Sequence, residues 1–303
     1  MLNKTLSGNL MVLAAAALWG TTGTAQSLAP PHLPAYWVGA LRLVVAAVFF
    51  AAFVGVQAQR SALSDLTAMG SLPWPGVLLA GVCIASYNLA FFAGVKASGV
   101  AVGTAIALGS GPVWAGVLQW LTTRAVPGAA WWGGTALAVA GGVLMVMGGM
   151  ASGEGSRAIS LPGTLLCLLA GASYAAYAVI NQRLVQVAPP AAVTLGVFGT
   201  AAVLAVPVAL ALVGRVSLTV ADVVTVGYLG VVATGVAYLL FSYALRWVSS
   251  ATAVTLALAE PLVAFVLAVV VLREAVTAQA VVGLALVLAG LGVVVGAEWR
   301  RRA

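Results

Sequence analysis

Acidic side chains are nearly missing from this chain: Asp and Glu together number 6 in 303 residues, beside 1 histidine and 2 cysteines. The acids lie far apart and form no paired-carboxylate motif of the kind that chemistry on a lipid-linked substrate would need. The lone histidine, His32, sits in the turn Pro30-Pro31-His32-Leu33-Pro34. No His/Cys/carboxylate cluster with metal-ligand spacing exists, so neither a metal nor a cofactor is expected. A glycine-lysine phosphate loop is absent, which argues against ATP-driven work by this chain alone. Cys83 and Cys167 both fall in apolar stretches and are expected to be small buried residues, not a disulfide. Charge of either sign is scarce, at 6% of residues, against about 25% in a soluble domain.

What the chain has in excess is apolar surface. Hydrophobic residues make up 63% of it and the mean hydropathy is +1.14. A bilayer core about 30 Å thick takes about 20 apolar residues per helix. Ten stretches of that length are present, near 8–29, 34–57, 75–96, 98–122, 128–149, 161–185, 189–213, 221–245, 249–272 and 276–298. Alternating ten-residue strands, the mark of a membrane β-barrel, do not occur. The first stretch is assigned to helix 1 and not to a secretory signal, because nine further spans follow it. The net charge of +7 describes topology and not affinity for nucleic acid. With the amino terminus inside, eight cations (Lys4, Arg60, Arg124, Arg183, Arg246 and Arg300 to Arg302) fall on the cytoplasmic side and four (Lys96, Arg157, Arg215, Arg273) outside. The positive-inside rule then places both termini in the cytoplasm.

The spans form two halves that repeat. Ala107-Leu108-Gly109-Ser110-Gly111-Pro112 interrupts one apolar stretch, and Ala257-Leu258-Ala259-Glu260-Pro261 interrupts another. A shift of 149 carries Pro112 onto Pro261, Arg124 onto Arg273, Gly134 onto Gly283 and Gly141 onto Gly290. A shift of 155 carries Gly8 onto Gly163, Trp19 onto Tyr174, Thr22 onto Tyr177 and Gln26 onto Asn181. A shift of 150 carries Phe91 onto Phe241 and Lys96 onto Arg246. Five spans is an odd number, so the second half enters the membrane in the opposite sense. The expected fold is an all-α integral membrane protein: ten transmembrane helices as two inverted five-helix repeats, 1–150 and 151–303, around a central cavity. Residues Met150 to Ser160 are the expected linker. Glycines at 99, 103, 133, 141, 292 and 296 are expected to let helices approach closely.

Several features together resemble the drug/metabolite transporter superfamily, in particular its EamA-type ten-helix exporters. They are Ala40-Leu41-Arg42-Leu43 in helix 2, the proline breaks in helices 4 and 9, Glu260-Pro261, Leu272-Arg273-Glu274, Gln279 and glycines 283 and 290. The first half departs from that pattern, since Thr123-Arg124-Ala125 carries no acid. The resemblance covers essentially the whole chain. It implies a secondary transporter in a bacterial cytoplasmic (inner) membrane, with helices 1, 3, 4, 6, 8 and 9 around the pathway. The YddG-like amino-acid exporters are the subgroup that such a reading would match.

Residues three or four apart share a helix face. Trp19, Thr22 and Gln26 therefore line one side of helix 1, and Tyr174, Tyr177 and Asn181 line one side of helix 6. Polar-aromatic faces point into a bundle or toward water, not into lipid. The two faces are expected to meet across the cavity, extended by Tyr87, Asn88 and Phe91 of helix 3 and by Tyr238, Phe241 and Ser242 of helix 8. Trp37, Trp74, Trp131, Trp132, Trp247 and Trp299 lie near span ends and fit an interfacial belt. Glu260, the deepest acid, is placed to accept a substrate ammonium or a coupling proton, or to satisfy donors at the Pro261 break. Gly111, before Pro112, takes its position in the first half. Arg42 must snorkel or pair, since a mid-helix arginine costs about 2.5–3.5 kcal/mol on insertion scales. It can hold a substrate carboxylate or form an intramolecular pair. An aromatic lining with one acid and one base favours small zwitterions, and the expected function is export of amino acids, aromatic ones included, by alternating access. Cationic drugs or nucleosides are the alternative, and a membrane enzyme acting on a lipid-linked substrate is a more distant one. The expected partners are a small-molecule substrate and the bilayer, with oligomeric state left open.

Overall fold

The computed structural model describes residues 2–28, 33–60, 70–98, 100–124, 126–150, 160–271, 273 and 276–302. Outside them fall most of the expected linker with Arg157, the turn carrying His32, Gly99, and Leu272 with Glu274. Among the described residues ten helices follow one another and no strand occurs. They are α1 (Leu2–Ser27), α2 (Ala35–Arg60), α3 (Trp74–Ser98), α4 (Val100–Thr123), α5 (Ala129–Met150), α6 (Leu161–Val187), α7 (Pro190–Val213), α8 (Val220–Ala244), α9 (Ser250–Val270) and α10 (Ala278–Arg302). Seven of these, α2, α3 and α6 to α10, hold enough apolar sequence to cross a membrane, and Ala129–Met145 in α5 is a shorter apolar helix. α1 and α4 are as long, at 26 and 24 residues; α1 carries polar turns such as Thr21-Thr22, and the first side chains of α4, 100–102, lie outside the described residues. Both α1 and α10 run several residues past their apolar spans, because backbone hydrogen bonding continues the helix where hydropathy ends.

The heaviest packing crosses between the halves. α1 lies against α8 and α9, α6 against α3 and α4, α2 against α7 and α8, α7 against α2 and α3, and α5 along α10. Moving every helix five places along returns the same set, which is a two-fold relation. Its sense is inverted. Gly8, early in α1, packs on Ala244 and Val248 at the end of α8, and Gln182, late in α6, donates to the Val248 carbonyl oxygen. The start of α1 and the end of α6 therefore share one end of the molecule. In the mirror contact, Gly163 at the start of α6 meets Ala97 and Ser98 at the end of α3.

The two prolines act differently from the expected pair of breaks. α4 continues as one helix through Pro112, with the Ser110 hydroxyl donating back to the Ala107 carbonyl oxygen at 3.2 Å. α9 tightens into a 3-10 turn at Ala257–Ala259. Pro261 has no N–H for the Ala257 carbonyl, and the Glu260 N–H takes that acceptor instead. α4 is followed directly by a left-handed arginine, Arg124 (φ 57°), where glycine is usual, and Arg273 (φ 60°), three residues past the end of α9, takes the same backbone conformation.

α5 and α10 cross with their backbones in contact. A Cβ on Gly134 would lie 2.8 Å from the Gly290 carbonyl oxygen, and one on Gly141 would lie 2.6 Å from that of Gly283. As one number rises the other falls, so the helices are antiparallel. Of the glycines expected to pack, Gly141 does so and Gly103 meets Val95 and Cys167. Gly133 and Gly292 have open space around them, and Gly296 meets only the end of Arg300. Helical phase decides: Gly134 shares a face with Gly141, two turns on, whereas Gly133 is rotated away from it. Filling this seam should destabilise by about 1–3 kcal/mol. Gly141→Leu or Gly283→Leu is expected to lower the thermal midpoint in detergent, and Gly133→Leu to leave it unchanged.

Candidate functional site

Five helices deliver aromatic rings to one point. Trp19 of α1 stands 6.0 Å from Tyr174, 5.0 Å from Tyr238 and 5.5 Å from Phe241, centroid to centroid. Tyr174 of α6 reaches Tyr87 of α3 at 5.5 Å, and Tyr177 meets Tyr238 at 5.7 Å. Phe198 of α7 closes the back, 4.8 Å from Tyr238. These spacings are those of mutually attractive ring pairs. Polar atoms in the cluster are incompletely satisfied. The Asn181 amide nitrogen donates to the Tyr177 hydroxyl at 3.1 Å and to Ser242 Oγ at 2.9 Å. Asn181 Oδ1, the Tyr174 hydroxyl and Trp19 Nε1 are buried with no partner among the described residues. Each such group costs about 1–3 kcal/mol.

Two charges lie beside this cluster. Glu260 follows the 3-10 turn of α9, and α1 presses on its backbone at Gly20, where a Cβ would lie 2.7 Å from the Glu260 carbonyl oxygen. The Glu260 carboxylate has no hydrogen-bond partner among the described residues, and it is not a sealed atom. Arg42, 8% exposed, donates from Nε to Thr234 Oγ1 at 3.1 Å. The charges of Arg42 and Glu260 are close enough to act on one another and on the tyrosines, Arg42 on Tyr87 and Tyr238, and Glu260 on Tyr87, Tyr174 and Tyr238. No three metal-ligating side chains gather among the described residues. The site offers hydroxyls, one carboxylate, one guanidinium and π-faces, which is equipment for binding.

The molecule is tight on one side of Glu260 and loose on the other. All seven residues Ser250–Leu256 of α9 are buried, whereas none of Glu260–Val270 is. α1 likewise has no buried residue after Gly20 among its described side chains. At the tight end, two glutamines from other helices and its own N-cap serine cap α9. Gln182 Oε1 accepts from the Ser250 N–H at 3.1 Å, Gln119 Oε1 from the Ala251 N–H at 3.2 Å and Ser249 Oγ from the Thr252 N–H at 3.2 Å. Gln182 and Gln186 also donate to the carbonyl oxygens of Val248 (3.0 Å) and Leu245 (3.2 Å). Helix N-termini carry orphan donors, so this is a latch that ties α4, α6, α8 and α9 together. The repeat partners of Gln119 and Gln182 are Ala268 and Ser27, and neither makes such a cross-helix bond among the described residues.

This architecture has known relatives. The model of the EamA-like transporter family matches twice, over residues 6–147 and 161–296. The chain belongs to that family. The EamA-like chain is also 38% identical over 296 residues to the uncharacterized transporter YwfM of Bacillus subtilis (strain 168), covering 97% of this chain and 95% of that protein. A crystal structure at 21% identity superposes with a TM-score of 0.82 over 98% of both chains, which shows the shared fold. The protein is thus a multi-pass membrane transporter for a small-molecule substrate.

Within this EamA-like transporter the expected site residues separate into groups. Trp19, Tyr87, Tyr174, Tyr177 and Tyr238 come together, with Phe91 in contact with Tyr87 at 5.9 Å and Asn181 and Ser242 joined below. Asn88 stands apart, its amide donating to Ile84 of its own helix at 2.9 Å and its Cβ facing Gly39 of α2. Thr22 lies partly exposed on the splayed part of α1, and the Gln26 side chain lies outside the described residues, as does that of Trp299. Gly111 and Pro112 are buried, with Gly111 facing Val254 of α9. Trp131 is buried against Gly116 and does not belong to the interfacial belt. Sequence reasoning missed Phe198, Thr234 and the three glutamines; Gln119 and Gln182, each an amide near a span end without an amide as its repeat partner, carried the signal. If the latch holds the tight end shut, Gln119→Ala with Gln182→Ala loosens it. A Val254→Cys reporter, buried at that end, is expected to react with a permeant maleimide roughly tenfold faster or more in this double variant, from the loss of three bonds of about 0.5–1.5 kcal/mol each.

Proposed function

We propose that this transporter exports amino acids, aromatic ones included, by alternating access. The observation that carries the reading is the presence of a Glu260 carboxylate without a hydrogen-bond partner among the described residues, and of an Arg42 guanidinium bound there only to Thr234, beside an aromatic cluster with unsatisfied polar atoms. A zwitterion offers an ammonium to the first, a carboxylate to the second and a side chain to the rings. The halves, 1–150 and 151–303, supply the rocking units, and the two separate family matches support that division. The tight end faces the cytoplasm if both termini lie inside the inner membrane, and the loosely packed end beyond Glu260 then faces outward. Substrate ammonium and a proton compete for the same carboxylate, so exchange of one for the other couples export to a proton gradient. Glu260 accordingly binds substrate, while Gly20 on its backbone makes the same residue a pivot for α9.

Counterflow in proteoliposomes of purified protein tests the reading, with labelled tryptophan and leucine against a cationic drug and a nucleoside as competitors. Saturable exchange of the amino acids is expected, weakened roughly fivefold by Tyr174→Phe or Trp19→Phe, each of which deletes one hydrogen-bonding group. Exchange of the drug or nucleoside alone would move the substrate class to those compounds. Glu260→Gln keeps the shape and removes the charge. It is expected to weaken exchange and to abolish uphill transport driven by a pH gradient; unaltered driving would remove Glu260 from coupling.

A further inference from the structure

Where the two halves differ most, the difference surrounds Arg42. Gly81 of α3 packs on α7, its Cβ position 2.5 Å from Thr200 Cβ and 3.0 Å from the Val197 carbonyl oxygen. Gly230 of α8 packs on α2 in the same way, 2.4 Å from Val45 Cβ and 3.2 Å from the Arg42 carbonyl oxygen. The shift of 155 carries Arg42 onto Val197 and Val45 onto Thr200, so these are one contact in two copies. Gly81 and Gly230 are 149 apart, yet Phe91 and Phe241 are 150 apart. α8 has gained one residue between these points, and it accommodates it as a π-helical turn, Val231–Val236. α3 is regular α-helix throughout the equivalent stretch. Single-residue insertions stored as π turns are rare and gather at functional sites.

The inserted turn presents Thr234 to α2. Its hydroxyl donates to the Leu229 carbonyl oxygen, five residues back, at 2.7 Å, and accepts from Arg42 Nε at 3.1 Å. Thr234 is fully buried. With its one proton committed to Leu229, the hydroxyl can only accept from the guanidinium, which fixes the plane of that group. The remaining guanidinium nitrogens have no protein partner among the described residues, and none is sealed off. Gly230, just before the turn, and Gly235, within it, seat Val45 and Phe49 of α2, so the helix that carries Arg42 is held at close range. In the first half, where the counterpart of Arg42 is Val197, the extra residue and the hydroxyl are both missing: Ile84 stands at the position of Thr234.

We infer that Thr234 and the π turn that carries it are a positioning device, holding the Arg42 guanidinium edge-on to the cavity so that it selects substrates bearing a carboxylate. This rests on the amino-acid reading given above. The test compares tryptophan with tryptamine, which lacks only the carboxylate, as competitors in counterflow. Thr234→Val keeps the shape and deletes the acceptor. It is expected to weaken tryptophan roughly tenfold, the scale of a charge-assisted contact, and to leave tryptamine unchanged. Thr234→Ser restores the hydroxyl and the preference with it. In an Arg42→Gln background Thr234→Val has no further effect on the preference, as residues acting in one chain require. Equal weakening of both competitors by Thr234→Val, or of neither, overturns the inference and leaves the amino-acid reading intact. Wild-type protein that exchanges no amino acid overturns both. If Thr234→Val does not fold, Thr234→Cys carries the same expectation, because a thiol is a weak acceptor.

Discussion

Lipid tails are as apolar as leucine, so helices in a bilayer gain little by merely hiding apolar side chains from their surroundings. Close backbone contact across the two halves is therefore the constraint on which the remaining structure rests. Gly8, Gly20, Gly134, Gly141, Gly163, Gly171, Gly283 and Gly290 all meet backbone or short side chains of the opposite half. Neither half forms a compact bundle alone: α1 leaves its own repeat to lie on α8 and α9, and α6 leaves its own to lie on α3 and α4. The aromatic cluster exists because of this exchange. Trp19 and Tyr174 come from the two exchanged helices and touch each other.

Symmetry supplies the frame, and departures from it supply the function. The tight end depends on glutamines whose repeat partners are alanine and serine. The acid beside the aromatic cluster has a glycine as its partner, and the base has a valine. Each asymmetric polar group would be costly in an apolar interior, and each is offset locally. Backbone donors at the start of α9 take up the glutamine oxygens, a threonine takes one edge of the arginine, and the loosely packed half of α9 leaves the glutamate accessible. Polar chemistry has been admitted only where the frame already needed acceptors or left space.

Much of this was legible in the sequence, for reasons that differ by feature. The ten spans followed from hydropathy, and the inverted sense followed from an odd number of spans per half. Trp19 with Tyr174 and Tyr177 was predictable because a wide aromatic face at mid-membrane depth has few places to point. Asn88 misled: it follows Tyr87 immediately, and 100° of helical rotation turns it toward α2. Gly133 and Gly292 misled for the same reason, since adjacent glycines differ in phase. Pro112 misled because a proline is the same letter in a helix that bends through it and in one that tightens. The π turn left only a trace, the slip from 149 to 150 in the spacing of repeat partners. Such a slip looks like a loop insertion until the structure shows that no loop lies between the two points.

The seam between α5 and α10 has a property that bears on origin. Gly134 meets Gly290 and Gly141 meets Gly283, and under the repeat 134 corresponds to 283 and 141 to 290. The two contacts are a single contact counted from each side, which is the definition of an isologous interface. A five-helix chain with this surface pairs with a copy of itself inserted the other way up, with no complementary partner required. Joining the copies in one polypeptide frees each from having to serve in both orientations. Arg42 against Val197, Glu260 against Gly111 and Gln119 against Ala268 are differences that only a fused, and no longer self-paired, protein can keep.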